Sequence, residues 1–248
     1  MADVSTHATL PTSLVGYWEL GESSGTRVDS KSTRDLTDNN TVLNAVGKWG
    51  NAADFEQTNS EYLGRASSGL VGFTSISVQA WVYMESASAT YPQIAGAWRD
   101  SINNRGWTLC LVSGNPYFYV TELGTNASTK NVTSGIALST GVWYHLVGTF
   151  DGSTGDIALY VNNTAYTSTS ALTGTYSSTA EFRIGHNEWF GNRGDGYWDG
   201  LIDEVGVWSK KLSASEVSDL YNGGAGLPYV ETVSAKRYLG MFALVEKA

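Results

Sequence analysis

The chain has 248 residues and a formal net charge of −9, from 15 Lys and Arg against 24 Asp and Glu. An acidic surface without a Lys/Arg run excludes a protein built to grip phosphate backbones, and no apolar run has the length of a membrane-spanning helix. Gly is abundant at 28 and Pro scarce at 4, a mixture that suits many strands joined by Gly-, Ser- and Asn-rich turns. The single cysteine, Cys110, cannot close an intramolecular disulfide and reads as a buried structural thiol.

In chain order, residues 1–12 read as a short N-terminal arm without the basic start and apolar stretch of a secretory leader. Strand signals begin at residue 13. The run 14–20 holds the pair Tyr17-Trp18 and ends in the Gly/Ser-rich turn 21–25, and 26–47 reads as polar and irregular. Runs 49–55 and 61–65 are short strand candidates. Ser75–Met84 alternates, with Ile76, Val78, Ala80 and Val82 on one face. Runs 93–98, 106–112 and 117–122 continue the pattern. Runs 142–150 and 156–162 flank Asp151-Gly152, a hairpin signal, because these residues tolerate positive φ. Runs 181–185 and 200–208 complete the strands. Ser213-Ala-Ser-Glu216 fits a capping box that opens one short helix, with Val217, Leu220 and Tyr221 on its apolar face and Gly223 placed to end it. Many strands, one helix and no βαβ alternation predict an all-β, antiparallel two-sheet sandwich over residues 13–228. Residues 229–248 read as a C-terminal tail.

Three stretches carry a family resemblance. Gly141-Val-Trp143-Tyr144-His145-Leu-Val-Gly-Thr-Phe150-Asp151-Gly152-Ser-Thr-Gly155, followed by Ile157-Ala-Leu-Tyr160-Val161, resembles the central hairpin of laminin G-like, concanavalin A-like domains. Trp198-Asp-Gly200-Leu-Ile202-Asp203-Glu204-Val205-Gly-Val-Trp208, then Leu212-Ser213 and Glu216 to Tyr221, resembles the closing strand and helix of that family. Tyr17-Trp18, Asp29-Ser30 and 47–55 resemble its opening strands. In place of the Asp-Gly frequent after the 156–161 strand, this chain has Asn162-Asn163, which also tolerates the left-handed turn. The resemblance spans roughly residues 14–226 and implies a laminin G-like jelly-roll sandwich. It also implies a structural Ca²⁺ held where Asp29 and Asp203 meet; the alternative for these carboxylates is turn capping and acceptance of backbone N–H bonds.

The remaining constellations are weighed on their chemistry. A hydrolase of this fold needs two carboxylates at even spacing on one strand face. Asp203 and Glu204 are adjacent, so plain alternation sends them to opposite faces. Gly21-Glu-Ser23-Ser-Gly25 spells a nucleophile elbow but lacks the helix that must follow. Arg193-Gly194-Asp195 is an integrin-type tripeptide short enough to arise by chance. The segment around it, with Trp189, Phe190 and Tyr197 for stacking on sugar rings and Asn192, Arg193 and Asp195 for binding hydroxyls, is the candidate ligand site. Tyr238, Leu239, Met241, Phe242 and Leu244 make the tail apolar and a candidate assembly contact, with a homo-oligomer or a larger assembly as partner. The expected function is a non-catalytic module that binds a glycan or another surface ligand, outside the cell or on a virion surface. The alternative is a structural attachment protein such as a capsid decoration or fibre subunit.

Overall fold

The computed structural model describes residues 3–67, 69–87, 89–186 and 196–230. Among these, chain order runs β1 (Leu14–Trp18), β2 (Thr37–Asn39), β3 (Leu43–Val46), β4 (Asn51–Phe55) and β5 (Tyr62–Arg65). The long strands β6 (Ser75–Met84), β7 (Gln93–Arg99), β8 (Asn104–Val112) and β9 (Asn115–Thr121) follow, then β10 (Thr129–Thr133). The last are β11 (Trp143–Asp151), β12 (Asp156–Val161), β13 (Thr164–Thr169), β14 (Phe182–Ile184) and β15 (Gly200–Trp208), before helix α1 (Ala214–Tyr221). All described pairings between these strands are antiparallel. One sheet has the order β13-β12-β11-β6-β15-β4-β3 with β1 also on β15; the other has the order β10-β9-β8-β7-β14-β5-β2. This is the antiparallel two-sheet sandwich expected from the strand pattern.

Alternation builds the central core. Ile76, Val78, Ala80 and Val82 of β6 face Trp107 and Leu109 of β8 and Phe118 of β9 across the two sheets, all buried. Gly148 on β11 lets the sheets approach: a Cβ there would sit 2.4 Å from the Phe118 ring, a distance no substituent can occupy without moving the ring. Burial of a core this size is the main favourable term for a chain without disulfides.

The eight-stranded sheet is covered on its outer side as well. Val4, Leu10, Tyr17, Trp208, Leu212, Val217, Leu220 and Leu227 form a second buried cluster there. The N-terminal segment, expected as an arm, is therefore packed from residue 3 onward. Val4 N–H donates to the Pro228 carbonyl (2.9 Å) and Trp208 Nε1–H to the Leu10 carbonyl (2.6 Å). Tyr229, assigned to the tail in the sequence reading, lies on the sandwich: its ring is 5.0 Å from that of Tyr17 and its N–H donates to Glu204 Oε2 (3.2 Å).

Helix α1 has both halves of the expected capping box: Ser213 Oγ accepts from the Glu216 N–H (3.2 Å) and Glu216 Oε2 from the Ser213 N–H (2.9 Å). Its C-cap is Asn222 in the left-handed region (φ 48°), one residue before the expected Gly223.

Candidate functional site

Of the loop residues expected to bind ligand, Trp189, Phe190, Asn192, Arg193 and Asp195 lie outside the described residues, as do Tyr238, Leu239, Met241, Phe242 and Leu244 of the tail. Tyr197 is described. It forms an antiparallel bridge with His186, and the two rings stack at 3.9 Å and 11°.

Strand register shows what lies beside Tyr197. Residues directly opposed in antiparallel pairs share a sheet face. One continuous row runs Gly64–Arg183–Gly96–Thr108–Tyr119–Asn131 across the seven-stranded sheet. Their strand neighbours Leu63, Phe182, Trp107, Phe118 and Val132 point into the central core, so the row faces outward. On one side of it Tyr117 and Tyr119, two apart on β9, stack at 5.3 Å and 12°, with the Trp98 ring 5.8 Å from Tyr119. On the other side Tyr62, His186 and Tyr197 cluster, with the Arg183 guanidinium 4.4 Å from the Tyr62 ring centre. Tyr62, Tyr117, Tyr119 and Tyr197 are half-buried.

The floor between the two aromatic groups is small and polar. Gln93 Nε2 donates to the Arg183 and His186 carbonyls (3.0 and 2.8 Å), and its Oε1 accepts from Thr108 Oγ1 (2.9 Å). Cys110 is a buried free thiol, as expected, and burial pushes its pKa up, which makes it inert. Arg183 Nε donates to Glu181 Oε2 (2.7 Å) and its Nη1 to His186 Nδ1 (2.8 Å). Arginine only donates, so His186 Nδ1 must accept and the ring proton sits on Nε2. Burial and the Arg183 charge lower the His186 pKa to about 3. At the far side Arg105 pairs with Asp100, whose Oδ1 also accepts from Trp98 Nε1 (2.9 Å).

The sequence reading did not select this face, although Tyr117 and Tyr119 flanking Phe118 carry its signal: two rings at period two around a core residue. Trp107 on β8, by contrast, lies wholly in the central core.

Residues 56–218 match the family model of the concanavalin A-like lectin/glucanases superfamily. The chain belongs to this superfamily. The match agrees with the resemblance carried by the central hairpin and closing strand. No curated protein matches the chain. Among solved structures, domain 4 of AbnA, a GH43 extracellular arabinanase from Geobacillus stearothermophilus in complex with arabinotriose, is 23% identical with a TM-score of 0.65, covering 83% of this chain and 97% of that one. The binding domain of Paraclostridial Mosquitocidal Protein 1 is 15% identical with a TM-score of 0.67, covering 87% of this chain and 53% of that one. A structure of botulinum neurotoxin type C, which depends on two ganglioside molecules to enter cells, is 12% identical with a TM-score of 0.66, covering 87% and 52%. The chain thus spans about half the length of these two toxin chains. At these identities the likeness shows the fold.

In this concanavalin A-like chain the two expected metal ligands differ in what they have to offer. Asp29 is saturated: Oδ1 accepts from the Tyr17 and Lys31 N–H groups (2.9 and 3.0 Å), and Oδ2 from the Arg34 N–H (3.2 Å) and the Ser32 hydroxyl. That leaves no lone pair for a cation, and Asp29 does not fit the ligand role as it stands. Asp203 Oδ2 accepts from the Lys48 and Trp49 N–H groups (2.8 and 3.0 Å), while its buried Oδ1 has no partner. Burial raises the Asp203 pKa to about 7. Among the described residues, the one set of three or more converging ligand atoms is Asp54, Glu56 and Glu85, which includes neither expected residue.

The expectation that Asp203 and Glu204 face opposite ways is corrected by a bulge. The register of β15 against β6 shifts between Asp203 and Gly206, and Glu204 takes φ 53°. Asp203 opposes Trp81, whose ring stacks on Tyr221 of α1 (6.0 Å), so it faces the helix side. Glu204 Oε2 accepts from Tyr17 OH (2.5 Å) in the second cluster, so it faces that side too. The extra residue of a bulge breaks the period-two rule.

Proposed function

We propose that the protein is a non-catalytic glycan-binding module and that the outer face of its seven-stranded sheet is the binding face. The observation that carries this reading is the pair of half-buried aromatic groups, Tyr117–Tyr119 and Tyr62–His186–Tyr197, on either side of a polar floor. Sugar rings stack their C–H faces on aromatic rings while side-chain amides, hydroxyls and N–H groups hold their hydroxyls. The AbnA domain was solved with arabinotriose, and botulinum neurotoxin type C depends on gangliosides, which supports a glycan as the ligand class. Residues 187–195 join His186 to this face through the chain, which keeps Trp189, Phe190, Asn192, Arg193 and Asp195 in the proposal as flanking contacts. Calcium is retained as a proposal at Asp203, through its open Oδ1.

A glycan-array screen of the full chain, run in calcium and in chelator, tests the reading. The wild type binds a defined set of glycans, and Tyr119→Ala weakens binding about tenfold with folding unchanged by circular dichroism. A folded wild type that binds no glycan overturns the function. Chelator lowers the melting temperature of the wild type and not of Asp203→Asn if calcium sits at Asp203; no response to calcium removes the ion from the proposal.

A further inference from the structure

Among the described residues, Arg105 and Arg183 of the seven-stranded face are each paired with a carboxylate, and that restricts the ligand. We infer that this face selects an uncharged oligosaccharide and rejects acidic ones, an inference that rests on the proposed glycan-binding function. These two arginines are both committed. Arg105 is held by Asp100 with both side chains buried, and Arg183 by Glu181 at 2.7 Å. Each pair sums to zero. His186 accepts from Arg183 at Nδ1 and so presents a neutral N–H at Nε2, which is buried and has no partner.

That orphaned donor is the second observation that points to a ligand. A buried N–H without an acceptor costs free energy, and an uncharged hydroxyl or ring oxygen that reached His186 Nε2 would satisfy it without bringing charge. A carboxylate or sulfate arriving here would meet paired guanidiniums, would have to be desolvated without a new countercharge, and would cross the field of a chain carrying −9.

The geometry also sets a size. From Arg183 on β14 the row crosses β7 and β8 to Tyr119 on β9. Three strand spacings make about 14 Å between Arg183, which lies against Tyr62, and Tyr119. One monosaccharide cannot touch both, so a linear oligosaccharide lying across the strands is the ligand that fits.

The test uses the full chain and titration calorimetry with two probe classes: neutral arabinotriose, xylotriose and maltotriose, and acidic sialyllactose, trigalacturonate and a heparin trisaccharide. Each is run at about 0.02 M and about 0.15 M salt. Binding confined to a neutral probe, with affinity changing less than about twofold between the two salts, is the expected result. Glu181→Gln removes one carboxylate from the surroundings of Arg183 and should add measurable binding of an acidic probe. Wild-type binding of acidic probes that falls about tenfold at the higher salt overturns the selectivity and leaves glycan binding standing. Unchanged discrimination in Glu181→Gln overturns the role given to the ion pair. Failure of the wild type to bind either class overturns the glycan-binding function itself.

Discussion

His145 sits on β11 on the helix side of the eight-stranded sheet, its imidazole stacked 4.9 Å from Trp81 and 6.0 Å from Tyr221. Its Nε2 lies 3.0 Å from Gln79 Oε1, Gln79 Nε2 donates to Tyr17 OH (2.9 Å), and Tyr17 OH donates to Glu204 Oε2. The chain of bonds needs an imidazole that donates from Nε2. Burial, and then the Lys48 charge, lower its pKa to about 3. The unfolded chain therefore takes up this proton first, near the ordinary pKa of 6.5, and stability falls as pH drops from there toward 3. Asp203 runs the other way. Burial raises its pKa to about 7, so the native state holds the proton and stability is lost as pH rises through 7. Because the two oppose each other in the wild type, the informative quantity is a difference between proteins. Urea denaturation at pH 7 and pH 4 should show His145→Gln losing less stability on acidification than the wild type, by on the order of 3 kcal/mol. Equal losses would mean that His145 is not buried as a neutral ring.

At the scale of elements, the division between strands legible and illegible in the sequence follows position in the sheet. Strands β6, β8, β9, β11, β12 and β15 were all expected within a residue or two. The four that were not, β2, β3, β10 and β13, are the four ends of the two sheet orders. An edge strand pairs on one side only and is largely solvated, so it needs no apolar alternation, and sequences such as Thr129–Thr133 (TKNVT) and Thr164–Thr169 (TAYTST) carry none. Helix α1 is the opposite case: its capping box is local chemistry and was read directly. The box also ties the helix to pH. Burial pushes the Glu216 carboxyl up, but the Lys210 ammonium (2.6 Å) and the Ser213 N–H outweigh it and hold the pKa at about 2. Stability from Glu216 is thus complete above its ordinary 4.5 and is lost as pH falls through 2. Ser213→Ala should cost about 1 kcal/mol in urea denaturation at pH 7, and a variant as stable as the wild type would show that packing alone holds the helix.

The described residues form a sandwich with a second, smaller core on one side, in which Val4 and Leu10 meet Leu227 and Tyr229. Residues 3–12, α1 and residues 227–229 cover part of the outer face of the eight-stranded sheet, while the outer face of the seven-stranded sheet carries the half-buried rings of Tyr62, Tyr117 and Tyr119. The proposed ligand face lies on the other side of the sandwich from Val4 and Leu227. Leu10 is fully buried in the second core, so Leu10→Ala should destabilise by about 2–5 kcal/mol, measured by urea denaturation. Val46 is 81% exposed on an edge strand, and Val46→Ala should change stability by less than about 0.5 kcal/mol. A Leu10→Ala effect as small as that of Val46→Ala would mean that the N-terminal segment is the free arm its composition suggested.

What the sequence by itself determined is what depends on neighbours a few residues apart: period-two alternation in the central strands, the Asp151-Gly152 and Asn162-Asn163 turns, the capping box, and the ordered motifs that mark the superfamily. What only the tertiary structure decided depends on register between distant strands. β4 occupies one edge of β15 along Gly200–Ile202 and β1 takes over from Val205 to Trp208, with the bulge between them turning Asp203 and Glu204 to the same side. Tyr119, Thr108, Gly96 and Arg183 fall into one row for the same kind of reason, although up to 87 residues of sequence separate neighbours in that row. A hydrophobic pattern specifies which residues are buried, but hydrogen-bond pairing across the sheet specifies which polar and aromatic side chains meet.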